Sequence, residues 1–138
     1  MRVDATMDDL TVDDFFAGLL AALVEKGIGV LSTRGEPFYR AVEASYRELE
    51  AVAHTRRLDP RFVILVDPIH GDSPVVREAV YGATLRHLAS LDAPEFSDLR
   101  IKLDHAQAQT LLRHLPGGPG VYEEIAEIFL SSYPFVTA

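Results

Sequence analysis

The chain has no cysteine. That excludes disulfides, thiolate metal sites and a cysteine nucleophile. It also lacks a long hydrophobic run: the longest, Phe15 to Val24, is about half of a membrane span. No basic cluster is present. Arg56, Arg57 and Arg61 come closest, and Asp59 interrupts them. Nucleic-acid binders draw affinity from counterion release at a basic footprint, so direct contact with DNA or RNA is not expected. A glycine-rich phosphate loop is missing too. Gly27-Ile28-Gly29 precedes an expected strand, whereas the dinucleotide fingerprint follows one. No serine sits between glycines at the spacing of a nucleophile elbow. Neither repeats nor flexible linkers divide the chain. Its opening, MRVDATMDDL, is acidic and lacks the apolar centre of a signal peptide. The expectation is a single cytoplasmic domain over 1–138 with no membrane partner.

What is present is enough for a core. The chain has 138 residues, of which 48% are hydrophobic, an ordinary share for a folded domain. Its net charge is −8. A surface of that sign favours solubility and suits a basic protein partner.

Periodicity places the elements. Thr11 is an N-cap, Asp13 and Asp14 suit the positive end of a helix dipole, and apolar residues from Phe15 to Val24 keep the helical period up to Gly27. Residues 28–33 read as a short strand. Pro37 opens a second helix, at a position proline favours, with a stripe running from Phe38 to Ala53. Leu58-Asp59-Pro60 ends it. Residues 61–67 (RFVILVD) show no alternation, which predicts a central strand buried on both faces. Pro74 to Leu91 reads as a helix, broken at Ala93-Pro94. Residues 99–103 alternate apolar and charged, as at an edge strand that Arg100 and Lys102 would blunt. A helix begins at Asp104 or His105. Pro116 to Gly120 is a turn, and Val121 to Ser132 is the last helix, followed by an aromatic tail. The lead is expected to be extended at Arg2 to Met7. The resulting expectation is an α/β fold: a small two-layer or three-layer domain with about three mostly parallel strands (28–33, 61–67, 99–103) and about five helices.

In a parallel sheet the strand ends share one rim. Ser32, Thr33, Arg34 and Glu36 would stand there, with the loop Asp67 to Ser73 and the pair Asp104-His105. Asp67, His70, Asp72, Asp104 and His105 together would suit a divalent cation, because imidazole and carboxylate are ligands for zinc, magnesium or manganese. Arg34 would clamp a phosphate oxygen. Such a rim defines a small metal-assisted hydrolase or phosphotransfer domain. Each of these residues also has an ordinary use: Asp72 or Ser73 before Pro74, and Asp104 before His105, are common helix caps.

The favoured reading is instead a non-catalytic protein-binding or accessory module of acidic character, such as a subunit, inhibitor, antitoxin or immunity-type protein, with no cofactor. Its partner would be a second copy or a basic hetero-partner. Five helices over three strands would leave apolar faces to cover. The last helix and tail, through Tyr122, Phe129, Tyr133 and Phe135, are the expected contact, beside an acidic face at Glu123, Glu124 and Glu127.

Overall fold

A computed structural model of the chain describes residues 7–133. Helices α1 (Val12–Glu25), α2 (Glu36–Ala53), α3 (Pro74–Leu85), α4 (His105–His114) and α5 (Pro119–Ser132) are joined by strands β1 (Asp8–Leu10), β2 (Val30–Ser32), β3 (Leu58–Pro60), β4 (Ala89–Asp92) and β5 (Asp98–Ile101). The fold is mixed α/β. The lead expected to be extended falls mostly outside the described residues, and β1 follows it.

The longest apolar run is the centre of the molecule. Every residue of α1 from Phe15 to Leu23 is buried. Helices α3, α4 and α5 pack around it, and α5 packs in turn on α2. Burial on all sides is what a helix apolar all round requires. Thr11 caps α1 as expected, its hydroxyl accepting the Asp14 amide at 3.1 Å. The helix closes with Gly27 at φ 85°. Gly27 N donates to Val24 O and Ile28 N to Leu23 O, the paired bonds that satisfy the last carbonyls of a helix ending on a left-handed residue.

The strands form two small sheets, not one. β1 pairs with β3 in parallel, Asp8 opposite Leu58 and Leu10 opposite Pro60. The other sheet has the order β2-β5-β4 and is antiparallel throughout. Residues 28–33 therefore contain β2, and residues 99–103 contain most of β5, which lies between its neighbours and not at an edge. Arg100 pairs with Asp92 at 2.8 Å across the β4–β5 hairpin.

Two expectations are corrected. Residues 61–67 carry no regular secondary structure and join neither sheet. Burial alternates there: Ile64 and Val66 are covered, whereas Val63 and Leu65 are 57% and 62% exposed. Side chains from α2 hold this segment in place of a ladder. The Tyr46 hydroxyl donates to Phe62 O at 3.1 Å, and the Val66 amide donates to Glu43 Oε2 at 2.9 Å. The pairing strand is instead β3, within the Leu58-Asp59-Pro60 stretch read as a helix terminator. Pro60 lacks an amide donor but ends its strand, and Arg61 N supplies the next bond, to Leu10 O.

The helix expected over 74–91 stops at Leu85, and β4 takes residues 89–92. Its end has the same hydrogen bonds as that of α1: His87 N to Thr84 O and Leu88 N to Ala83 O. Here the left-handed residue is His87, at φ 62°.

Candidate functional site

The expected metal rim is not assembled, because the strands that would have brought its parts together are not parallel neighbours. Asp67 and His70 belong to one loop. His70 Nδ1 lies 3.1 Å from Asp67 Oδ2, and Asp67 Oδ1 accepts the amides of Ile69 at 2.7 Å and His70 at 3.2 Å. The His70 ring and these two amides hold the Asp67 carboxyl below its ordinary value, and the carboxylate raises the His70 imidazole above its own. Asp72 faces Arg77 at 3.2 Å.

Asp104 and His105 are used elsewhere. Asp104 Oδ1 accepts the Gln107 amide at 2.7 Å while Gln107 Oε1 accepts the Asp104 amide at 2.9 Å, a reciprocal cap on α4. His105 Nδ1 stands 2.6 Å from Glu25 Oε2, off the line of a hydrogen bond. Among the described residues, no group of three or more His, Asp or Glu side chains is placed to hold a metal ion. Arg34 is also engaged: its guanidinium donates to the Glu95 carboxylate and, at 3.2 Å, to Ser97 Oγ. It is not an open anion clamp.

The expected contact helix is likewise turned inward. Tyr122 and Phe129 are fully buried and Tyr133 nearly so. The Tyr122 ring lies over Gly18 of α1, and its hydroxyl donates to Pro116 O at 2.5 Å. Burial pushes that hydroxyl well above the usual tyrosine range, with the Asp14 charge adding to the shift. Tyr133 stacks on Phe129 with ring centroids 5.0 Å apart. Its hydroxyl donates to Ser32 O at 2.9 Å and accepts Ser32 N at 2.7 Å, fastening the end of α5 to β2. These aromatics are core and strap. Phe135 lies outside the described residues. On the acidic face, Glu124 meets Arg56 at 2.7 Å and Glu127 meets Lys26 at 3.5 Å.

The surface that does present aromatics is formed by α3 and the tip of the β4–β5 hairpin. Tyr81 is 64% exposed and Phe96, at φ 56° in the hairpin turn, is 60% exposed. Both line a concavity of about 270 Å³ with Tyr39, Arg77, Thr33 and Leu91. Leu85, one turn beyond Tyr81, continues the row and is 63% exposed. Burial raises the Tyr39 hydroxyl above its ordinary value, against the pull of the nearby Arg77 charge. The geometry follows from the helical period. Val76, Ala79, Val80 and Ala83 face inward, so Arg77, Tyr81 and Leu85, spaced by four, share the outer face. That row was legible in the sequence as a large apolar pair on the wrong side of an amphipathic helix. Phe96 was not, since only the hairpin brings it to α3.

No protein-family model, curated protein or solved structure matches this chain.

Proposed function

We propose that this protein is a non-catalytic binding module that engages another protein chain through the outer face of α3 and the β4–β5 hairpin tip. The observation that carries this reading is the exposed cluster of Tyr81, Phe96 and Leu85 around the concavity that Arg77 and Tyr39 also line. Tyr, Phe and Arg are enriched at protein interfaces. They bind most strongly where a pocket lets an aromatic anchor lose its water. Exposing several large apolar side chains together has a cost that burial against a partner removes. The net charge of −8 favours a basic partner, by steering its approach.

The test is capture from the native host by the wild-type chain and by a Tyr81→Ser/Phe96→Ser variant, with light scattering for self-association. A protein partner, or a second copy, held by the wild type and lost by the variant supports the reading. Equal capture by both rejects this surface. A strict monomer that captures no protein but shifts DNA or RNA at physiological salt rejects the class of function.

A further inference from the structure

Beyond the aromatic face, α3 ends in the turn Arg86–Leu88. That turn lies beside Lys102 and Leu103, which follow β5, and beside the first turns of α4. An open groove of about 570 Å³ runs between them. Its apolar lining comes from Leu88, Leu103, Ala106 and Leu111. Arg86 and Lys102 stand along it, with the imidazoles of His87 and His114 and the neutral Gln107 and Thr110. No carboxylate lines it, in a chain with 21 acidic residues against 13 basic ones. The cations are not equally committed. Arg86 is 3.7 Å from the Asp14 carboxylate and donates to Asp13 O at 3.5 Å. Lys102 is exposed, and among the described residues its ammonium has no ion-pair partner.

An apolar trough with a cationic border and no acid is complementary to a molecule with an anionic head and a hydrocarbon body. The volume falls within the range of small-molecule sites, about 300–1,000 Å³. Its lining is much smaller than the roughly 20–30 residues that each side of a stable protein interface provides. We infer that this groove binds a small anionic amphiphile of the fatty-carboxylate type. The Lys102 ammonium takes the head, with Arg86 nearby, and Leu88, Leu103, Ala106 and Leu111 receive the chain. The site is separate from the proposed protein contact and stands or falls without it.

Octanoate is the probe, titrated into the isotope-labelled protein and followed by amide shifts in NMR and by calorimetry. Saturable shifts confined to Leu88, Lys102, Leu103, Ala106 and Thr110 are expected, with a Kd on the order of 10⁻⁴ M for so small a ligand. Lys102→Ala should weaken binding by about twofold to fivefold, as should raised salt, since an exposed ion pair contributes about that much. Ala106→Trp, at an exposed position, should fill the groove and abolish binding while the circular dichroism spectrum stays unchanged. The uncharged 1-octanol should bind at least about twofold more weakly than octanoate. The proposal is overturned if no saturable shift appears by about 10 mM octanoate, a concentration that would reveal even millimolar affinity. Shifts that map elsewhere, or octanol and octanoate binding equally, would also overturn it. So would co-sedimentation with phosphatidylglycerol vesicles that octanoate does not compete away, because the ligand would then be a membrane surface.

Discussion

Gly18 marks the closest approach in the core. A Cβ added there would stand 2.2 Å from a ring carbon of Tyr122, far inside contact distance. The ring is fully buried and tied to Pro116 O, so it cannot move aside cheaply. Gly18→Ala therefore destabilises the fold although alanine is the better helix former. A loss of roughly 1–3 kcal/mol, the usual cost of overpacking, is expected in a urea melt; the propensity of alanine alone would give a gain of up to about 1 kcal/mol. A second residue-scale prediction concerns the loop after residue 66. His70 should titrate above the ordinary imidazole value, and Asp67→Asn should return it toward that value, both read by NMR. The signs set a window. The raised His70 contributes stabilisation that is lost as pH rises through its folded value, and the depressed Asp67 contributes stabilisation that is lost as pH falls through its own. The loop contact is firmest at mildly acidic pH, where both groups are charged. Both are exposed, so the effect is on loop order more than on global stability.

At the scale of elements, the segment 61–67 separates two kinds of burial. Ile64 is 1% exposed and packs into the core, whereas its neighbour Leu65 faces solvent. Ile64→Ala should cost about 2–5 kcal/mol. Leu65→Ala should change stability by less than about 0.5 kcal/mol, as for an ordinary surface position. Equal losses at the two sites in parallel urea melts would contradict the alternation. Five consecutive apolar residues predict burial on both faces only if a second layer covers the outer one. Here α1 and α2 pack on one face, through Phe15 and Tyr46 against Phe62, while Val63 and Leu65 on the other stay largely exposed. The two helix ends with the same hydrogen bonds show a similar limit. At α1 the left-handed residue is Gly27, which has no Cβ to strain it, and the sequence announces the stop. At α3 it is His87, and the stop is silent because a histidine has no local reason to leave the helix. What turns the chain there is β4 pairing with β5, from Ala89 opposite Ile101 to Asp92 opposite Asp98.

Across the whole molecule, the surplus of helices over strands is settled internally. α1 is wrapped by α3, α4 and α5, so its apolar faces are covered by other helices and not by sheet. Among the described residues, the exposed large apolar side chains are Tyr81, Leu85 and Phe96, along with Val30, Val63, Leu65 and Ile69. If the first group is a contact surface and not part of the core, Tyr81→Ser/Phe96→Ser should leave the urea midpoint within the roughly 0.5 kcal/mol typical of surface changes while losing the captured partner. A variant that unfolds would assign these aromatics a structural role.

Periodicity and capping chemistry alone determined the five helices and the start of each to within a few residues, whereas the central place of α1 emerged only from the packing of the other helices around it. The helices and their starts depend on neighbours within about one turn, through hydrogen bonds and side-chain spacing that the chain order specifies. Only the tertiary structure decided the pairing partners of the strands and the covered face of residues 61–67. It also set the distance between Asp67 and Asp104 and the meeting of Phe96 with Tyr81. Each of those depends on contacts between segments far apart in the chain. The sum of many weak packing terms selects such contacts, and no local residue pattern encodes that sum.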